Sequence, residues 1–272
     1  MEKYGLKGYD PSKLDESQYI ENFFSEQIEG NYKALLNKII DRTQKMNLWE
    51  RNNCFFISEK DKLKLSIHLA FQYIRVKSTR NSIFDSSDCL EQVLNDMGVP
   101  LETIKKYCIT KSELPYIHGK MILDSEAMGE MAQSFNRLSW ILLFNKTNQS
   151  FYTSDNPVWP VPHVKHPFLS MSGIRSKGVE IDFPISPNLM LVMVDGDYHT
   201  TLQKCDRRIF DINNAEDIKE NNVISFMHCD RCVYSIDNNF SDIQDAIKEN
   251  PDILNIPHTV VEWGGKTYTP KG

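Results

Sequence analysis

Apolar residues recur at helical spacing through the first half of the chain and gather into short runs in the second, which predicts helices followed by strands. Tyr19 to about Asp41 carries Ile20, Phe24, Ile28, Leu35 and Ile39 near helical intervals, with Gly30 as a weak point inside it. Ser58, with Asp61 three residues on, resembles a capping box and opens a second helix running to about Ile83. Leu63, Ile67, Ala70 and Ile74 form its core stripe, and Leu65, Leu69 and Val76 lie nearly opposite. A helix apolar almost all round is expected at the centre of the core. Shorter helices are expected at 87–97, 100–108 and 124–136, with Gly98-Val99-Pro100 as a break.

From Trp140 onward the pattern changes. Trp140 to Asn145 reads as a strand, Lys146 to Gln149 as a turn and Ser150 to Ser154 as the returning strand of a hairpin. Residues 157–178 hold Pro157, Pro160, Pro162 and Pro167 and read as an irregular excursion. Val179 to Phe183 is a strand closed by Pro184-Ile185-Ser186-Pro187, and Leu189 to Val194 is another ending in Asp195-Gly196-Asp197. A helix is expected from Ala215 to about Met227 and a short strand from Arg231 to Ile236. Ser241 with Gln244 suggests a capped helix stopping before Pro251, and Val260 to Tyr268 a hairpin turning at Gly264-Gly265. Helices and then strands, without regular alternation, imply an α+β fold: an N-terminal helical part packed on a mixed or antiparallel sheet. With no linker-like stretch, one domain is expected, its helical part about 1–136 and its sheet part about 137–272.

Composition narrows the function. At 40% hydrophobic and 25% charged, with 14 Phe, 11 Tyr and 4 Trp, the 272 residues can bury a core, so disorder is not expected. A net charge of −6 argues against a general nucleic-acid coat protein and leaves room for a local basic groove. The six cysteines have no framework spacing, and the N-terminus has no apolar stretch behind a basic one. Together these predict reduced thiols and a cytoplasmic location. No apolar run reaches membrane-spanning length, so no membrane partner is expected. The chain also lacks a G-x-x-x-x-G-K-[ST] loop, a G-x-G-x-x-G after a strand, H-E-x-x-H, a kinase motif set and a strand-borne Glu-x-Lys of restriction-nuclease type.

Candidate chemistry starts at Ser154-Asp155-Asn156-Pro157. Pro157 fixes its own φ and keeps Asn156 out of helical space, so a carboxylate and an amide sit at a rigid bend. They can close a turn on their own backbone, hold a metal or orient a water. On the central helix His68, Gln72, Arg75 and Thr79 follow one another at spacings of 4, 3 and 4 and form one polar line. The Arg75 guanidinium needs an anion, with Glu29, Asp155 and a ligand phosphate as the candidates. Glu29 shares a helix side with Ser25, Tyr32 and Leu36. Glu180 and Asp182 share a strand face expected to meet solvent, and the Ser186 hydroxyl could serve a ligand. His228-Cys229-Asp230-Arg231-Cys232 has the form of half a zinc site, but buried thiols at a helix-to-strand junction fit it better. Lys60, Lys62, Lys64, Lys77 and Arg80, with Lys105, Lys106 and Lys111 further on, could form a basic surface or only a solvated helix end.

Phe151-Tyr152-Thr153-Ser154-Asp155-Asn156-Pro157-Val158 resembles the signature of a mostly bacterial family catalogued as domain of unknown function 4238. Four further segments are similar in the same order: Ile28-Glu29, Gln72-x-x-Arg75, Phe183 to Pro187, and Asn221-Asn222 leading to Arg231-Cys232-Val233-Tyr234-Ser235. The resemblance covers roughly residues 20–236 and implies a shared fold without an established activity. Family members often open with a His-x-x-Pro-x-x-x-Leu segment, which this chain lacks.

Two functional readings stay open. In the first the protein is a hydrolase acting on a phosphate-containing nucleotide or nucleic acid. Arg75 binds the anion with Gln72, His68 and Ser186 nearby, while Asp155 and Asn156 hold the attacking water or a divalent cation and Glu29 is a spare carboxylate. In the second the same residues support a non-catalytic ligand-binding or protein-interaction module, such as a sensor in a bacterial defence system.

Overall fold

The structure is a computed structural model that describes residue 22 and residues 24–164, 173–255 and 259–271. The expected helix start at Tyr19 and Ile20, and Pro167, lie outside the described residues. A π-helical turn, Phe24–Glu29, leads into α1 (Gly30–Lys45), followed by α2 (Leu48–Asn53), α3 (Glu59–Ile74), α4 (Lys77–Asp96), α5 (Leu101–Tyr107), α6 (Leu114–Leu123) and α7 (Ser125–Arg137). Then come β1 (Ser139–Asn145), β2 (Thr153–Ser154), β3 (Trp159–Pro162), β4 (Val179–Ser186), β5 (Leu189–Val194), α8 (Thr200–Gln203), β6 (Arg208–Ile212), α9 (Ala215–His228), β7 (Val233–Tyr234) and α10 (Ser241–Glu249). A 3₁₀ turn (Pro251–Asn255) precedes the closing hairpin β8 (Val261–Trp263) and β9 (Lys266–Tyr268). The fold is α+β, helices first and then a mixed five-stranded sheet in the order β3-β4-β5-β1-β6. Only β1 and β6 pair in parallel; the other neighbours are antiparallel.

α3 is the central helix. Leu65, Ser66, Ile67, His68, Leu69, Ala70, Phe71 and Ile74 are all buried, between α1, α7 and one face of the sheet. Leu63, expected in the core stripe, is 39% exposed, whereas its neighbours Lys62 and Leu65 are buried. The Ser58 hydroxyl caps the helix by accepting the Asp61 N–H at 3.1 Å. One turn in, the buried Lys62 ammonium donates to the Leu138 carbonyl and to Asp206 Oδ1, both at 2.9 Å. Asp206 Oδ1 also accepts the Trp140 N–H at 2.7 Å, so one carboxylate ties the central helix to the start of β1.

The helix expected from Ser58 to Ile83 is two. Val76 leaves helical space (φ −71°, ψ 149°), and α4 starts anew at Lys77, absorbing the separate helix expected at 87–97. The interruption is stabilised on its own carbonyls: Thr79 Oγ1 donates to the Tyr73 carbonyl at 2.7 Å, and the His118 Nε2–H lies 2.7 Å from that of Ile74. Thr79 therefore closes the end of α3 instead of continuing its polar line. His118 comes from α6, a helix the hydrophobic pattern did not reveal.

The expected hairpin of 140–145 with 150–154 does not form. The Asn145 side chain closes a local turn, donating to the Gln149 carbonyl at 2.5 Å and accepting the Thr147 N–H at 2.8 Å. The chain then leaves the sheet. β1, apolar on both faces, is taken between β5 and β6, while Thr153 and Ser154 pair with Tyr234 and Val233. β3 lies inside the segment expected to be irregular, and its prolines are tolerated because it is the edge strand. β4 runs on through Pro184 to Ser186 with a register shift, past Asp182, the last residue β3 pairs. Ser241 is not part of a capping box: it is the first helical residue, its N–H donates to Asn239 Oδ1 at 3.1 Å, and the N-cap Phe240 has no side chain that could cap α10. The turn at Gly264 and Gly265 forms as expected, both at positive φ (57° and 76°), where glycine carries no Cβ penalty.

Asp182 corrects the solvent-facing reading of its strand face: it is only 2% exposed. That face of the sheet is covered by a second cluster including Trp159, Val192 and Ile218 of α9. Burial holds the Asp182 carboxyl well above its ordinary range, and the Glu180 charge adds to the shift. A neutral acid fits this site, where Asp182 Oδ1 and the Nε1–H of its cross-strand partner Trp159 have no hydrogen-bond partner among the described residues.

Two outcomes are expected. Asp206→Ala strands the Lys62 ammonium and should cost about 3 kcal/mol in urea unfolding, the lower end for an orphaned buried charge because Asp206 is a third exposed. Lys62→Met should cost less, and the opposite ranking would contradict the pairing. The second outcome concerns pH. Folded Asp182 keeps a proton that the unfolded chain releases near 3.8, so its contribution is full below that pH and is lost as pH rises. The urea midpoints of wild type and Asp182→Asn should differ least near about pH 4 and separate, the variant becoming the more stable, by up to about 1.4 kcal/mol per pH unit. Parallel profiles would mean that Asp182 titrates as it does in the unfolded chain.

Candidate functional site

The Ser154–Pro157 bend is wound around the end of α9. Asp155 accepts two backbone N–H groups there, Asp230 on Oδ1 and Arg231 on Oδ2, each at 3.0 Å. The Asp155 N–H returns a bond to the Cys232 carbonyl at 3.1 Å. Asn156 Nδ2 donates to the carbonyl of His228, the last residue of α9, at 2.9 Å, filling one of the acceptors a helix end leaves open. Ser154 Oγ accepts the Asn156 N–H at 3.2 Å and donates to its carbonyl at 2.9 Å, closing the bend on itself. From the middle of α9, Asn222 accepts the Tyr152 N–H at 2.7 Å and donates to the Ser150 carbonyl at 3.0 Å. Residues 150–156 and α9 are therefore tied into one piece.

That piece faces the interruption between α3 and α4 across a cleft of about 240 Å³. Gln72, Arg75, Lys77 and Ser78 line one wall, and Asp155, Asn156, Asp230 and Arg231 the other. Lys77 Nζ bridges the walls, 3.1 Å from Asp230 Oδ2. Arg231 Nε lies 3.5 Å from Asp230 and 3.8 Å from Asp155. Arg75 Nη1 is 3.2 Å from Glu29 Oε1, a pair with both side chains well exposed. α4 begins at this cleft, its N-cap Val76 has no side-chain acceptor, and no side chain caps its first turn.

Of the residues picked from sequence, Asp155, Asn156, Arg75 and Gln72 line the cleft together. Glu29, 58% exposed, reaches it only through Arg75. His68 does not line it. It is 7% exposed with its ring 5.4 Å from Tyr32, and burial, aided by the Lys64 charge, lowers its pKa to about 4. Burial also pushes the Tyr32 hydroxyl up, against the pull of Arg75. Ser186 lies at the end of β4, accepting the Asn188 N–H at 3.4 Å, away from the cleft.

Lys77, Asp230 and Arg231 were visible in the sequence only as parts of other patterns, a basic cluster and a half zinc site. All six cysteines are free thiols, and among the described residues no group of three His, Cys, Asp or Glu side chains is placed to hold a metal. The Cys229 thiol is raised by burial and then by the Asp155 carboxylate. The basic cluster is dispersed: Lys62 is buried and paired, while Lys77 reaches the cleft. No described helix is long and apolar enough to cross a membrane.

No curated protein and no solved structure matches this chain. A family model does match, over residues 4–239, a span that contains every residue lining the cleft. By that match the chain belongs to the family described as "Protein of unknown function (DUF4238)".

Proposed function

We propose that the cleft between the α3–α4 interruption and the Asp155 bend binds a phosphate-bearing ligand. The observation carrying this reading is an uncapped helix start opening onto three cationic side chains, Arg75, Lys77 and Arg231. Free N–H groups and the helix dipole favour an anion there, and a guanidinium adds a fork matched to phosphate oxygens. Gln72 and the Ser78 hydroxyl supply neutral donors. Asp155 serves as a clamp, holding the Asp230-Arg231 loop so that Arg231 stays at the rim.

Phosphate-ester hydrolysis is the second reading, favoured by Asp155 and Asp230 lying in the same cleft. Each Asp155 oxygen is used by one backbone N–H and retains acceptor capacity for a water or for a divalent cation shared with the phosphate.

Calorimetric titration with inorganic phosphate and pyrophosphate separates these readings from an inert cleft. Arg75→Ala and Lys77→Ala should each weaken binding by roughly ten- to a hundredfold, the range for a lost hydrogen bond to a charged group of about 1.5–3 kcal/mol. Thermal stability should barely change in Arg75→Ala, whose pair with Glu29 is exposed and worth about 0–1 kcal/mol, and should fall only slightly in Lys77→Ala, where the largely buried Asp230 keeps Arg231 3.5 Å away. Unchanged affinity in the double variant would end the proposal. Asp155→Ala should behave differently, losing about 1–3 kcal/mol of stability as its two N–H partners are orphaned. Release of inorganic phosphate from a panel of nucleotides, with and without magnesium, decides between binding and hydrolysis.

A further inference from the structure

The phosphate cleft is not the roomiest in the molecule. A second, of about 430 Å³, lies further along α4 where Lys111 and the start of α6 approach it. Its wall carries Arg80, Asn81, Phe84 and Asp85 from α4, with Lys111 opposite. Lys77 lines the first cleft, and Arg80, Asn81 and Phe84 follow it at i+3, i+4 and i+7, which is one face of one helix. Both clefts therefore open along the same stripe of α4, their ends about 10 Å apart by the helix rise.

The chemistry of the stripe is uneven in an informative way. The two clefts together contribute five cations (Arg75, Lys77, Arg80, Lys111 and Arg231) against three carboxylates (Asp85, Asp155 and Asp230), in a chain of net charge −6. A local excess of positive charge on an acidic protein concentrates polyanions. The second cleft adds a half-buried aromatic ring whose face is open enough for the Lys111 ammonium to lie 5.4 Å from its centroid. A planar base can take that place, releasing the ammonium to a backbone phosphate. Cations in both clefts with an aromatic platform in one match a ligand with more than one phosphate and an unpaired base. A mononucleotide would fill only half of the stripe.

From this we infer that the α4 stripe binds single-stranded nucleic acid, one phosphate held at the α4 start and a neighbouring base stacked on Phe84. The inference rests on the phosphate-binding reading and extends it. Stacking on an aromatic side chain is indifferent to sequence, so the site selects for unpaired bases and not for a sequence.

The test is fluorescence anisotropy of a labelled ten-nucleotide oligothymidylate with the full chain, beside titrations with thymidine monophosphate and inorganic phosphate. The oligonucleotide should bind at least tenfold tighter than the monophosphate and lose affinity as salt rises. Phe84→Ala should weaken oligonucleotide binding roughly tenfold or more. Arg80→Ala with Lys111→Ala, solvent-reaching changes that spare the core, should lower the log–log salt slope by about 1.4. Neither variant should alter inorganic phosphate binding. Equal affinity for oligonucleotide and monophosphate, or a stripe variant that binds oligonucleotide as wild type does, overturns the inference while leaving the phosphate site standing. Failure of inorganic phosphate itself to bind removes the site beneath both.

Discussion

The interruption at Arg75 and Val76 is the constraint from which the functional geometry follows. Without it, Glu59 to Asp96 would be one helix about 57 Å long, some three times the ~19 Å radius of gyration of a compact chain of this length. The chain has to turn, and no glycine or proline marks where. The turn is fixed instead by what takes the freed carbonyls, the Thr79 hydroxyl from the next helix and the His118 imidazole from α6. Burial, aided by the Arg80 charge, lowers the His118 pKa against the pull of the carbonyl bond, and the nitrogen facing Ile74 carries a proton because a carbonyl only accepts. One side of the turn is thereby buried and satisfied, and the other is left as a helix start facing solvent and cations.

The facing wall is built by a different device. Asp155, Asn156 and Asn222 give their side chains to backbone groups at the end of α9, of the loop that follows it and of segment 150–156. Each of these bonds is local to the piece and independent of the sheet, so the wall is rigid without being part of the main core. Asp242 extends it, accepting from Asn222 Nδ2 at 2.9 Å and bringing in α10.

The sequence made this arrangement legible where local chemistry decides the structure. The apolar girth of α3 marked it as central, and Asp-Asn-Pro marked a rigid bend. Gln72 and Arg75, one helical step apart, were read onto the face that meets that bend. What stayed hidden depends on partners distant in the chain. β1 carries apolar residues on both faces, which admits neighbours on both sides but names neither, and a good turn after it suggested the wrong one. Its parallel neighbour β6, Arg208-Ile209-Phe210-Asp211-Ile212, is a short run with a charged residue on either side of its Ile-Phe pair. It is stabilised by Asp211, which lies 3.3 Å from Arg51 and 2.5 Å from Lys146, both far off in sequence. Asp182 misled for the same reason: alternation along β4 suggested a wet face, and only the position of α9 makes it dry.

The strength of the contacts across the cleft decides whether it can take a ligand. On the bend side Asp155 and Asn156 are bonded to backbone, and such bonds are costly to break because their partners would be orphaned. Across it runs the Lys77–Asp230 pair, whose ammonium is half exposed. Its Asp230 carboxylate is largely buried and keeps Arg231 3.5 Å away, so water competes for the ammonium end of the pair more than for the acid. Arg75, on one wall, pairs with Glu29, which lies outside the cleft and is more exposed than Asp230. Two walls, each fixed by its own bonds and joined across the cleft by the Lys77–Asp230 pair, are the geometry on which the phosphate-binding proposal rests.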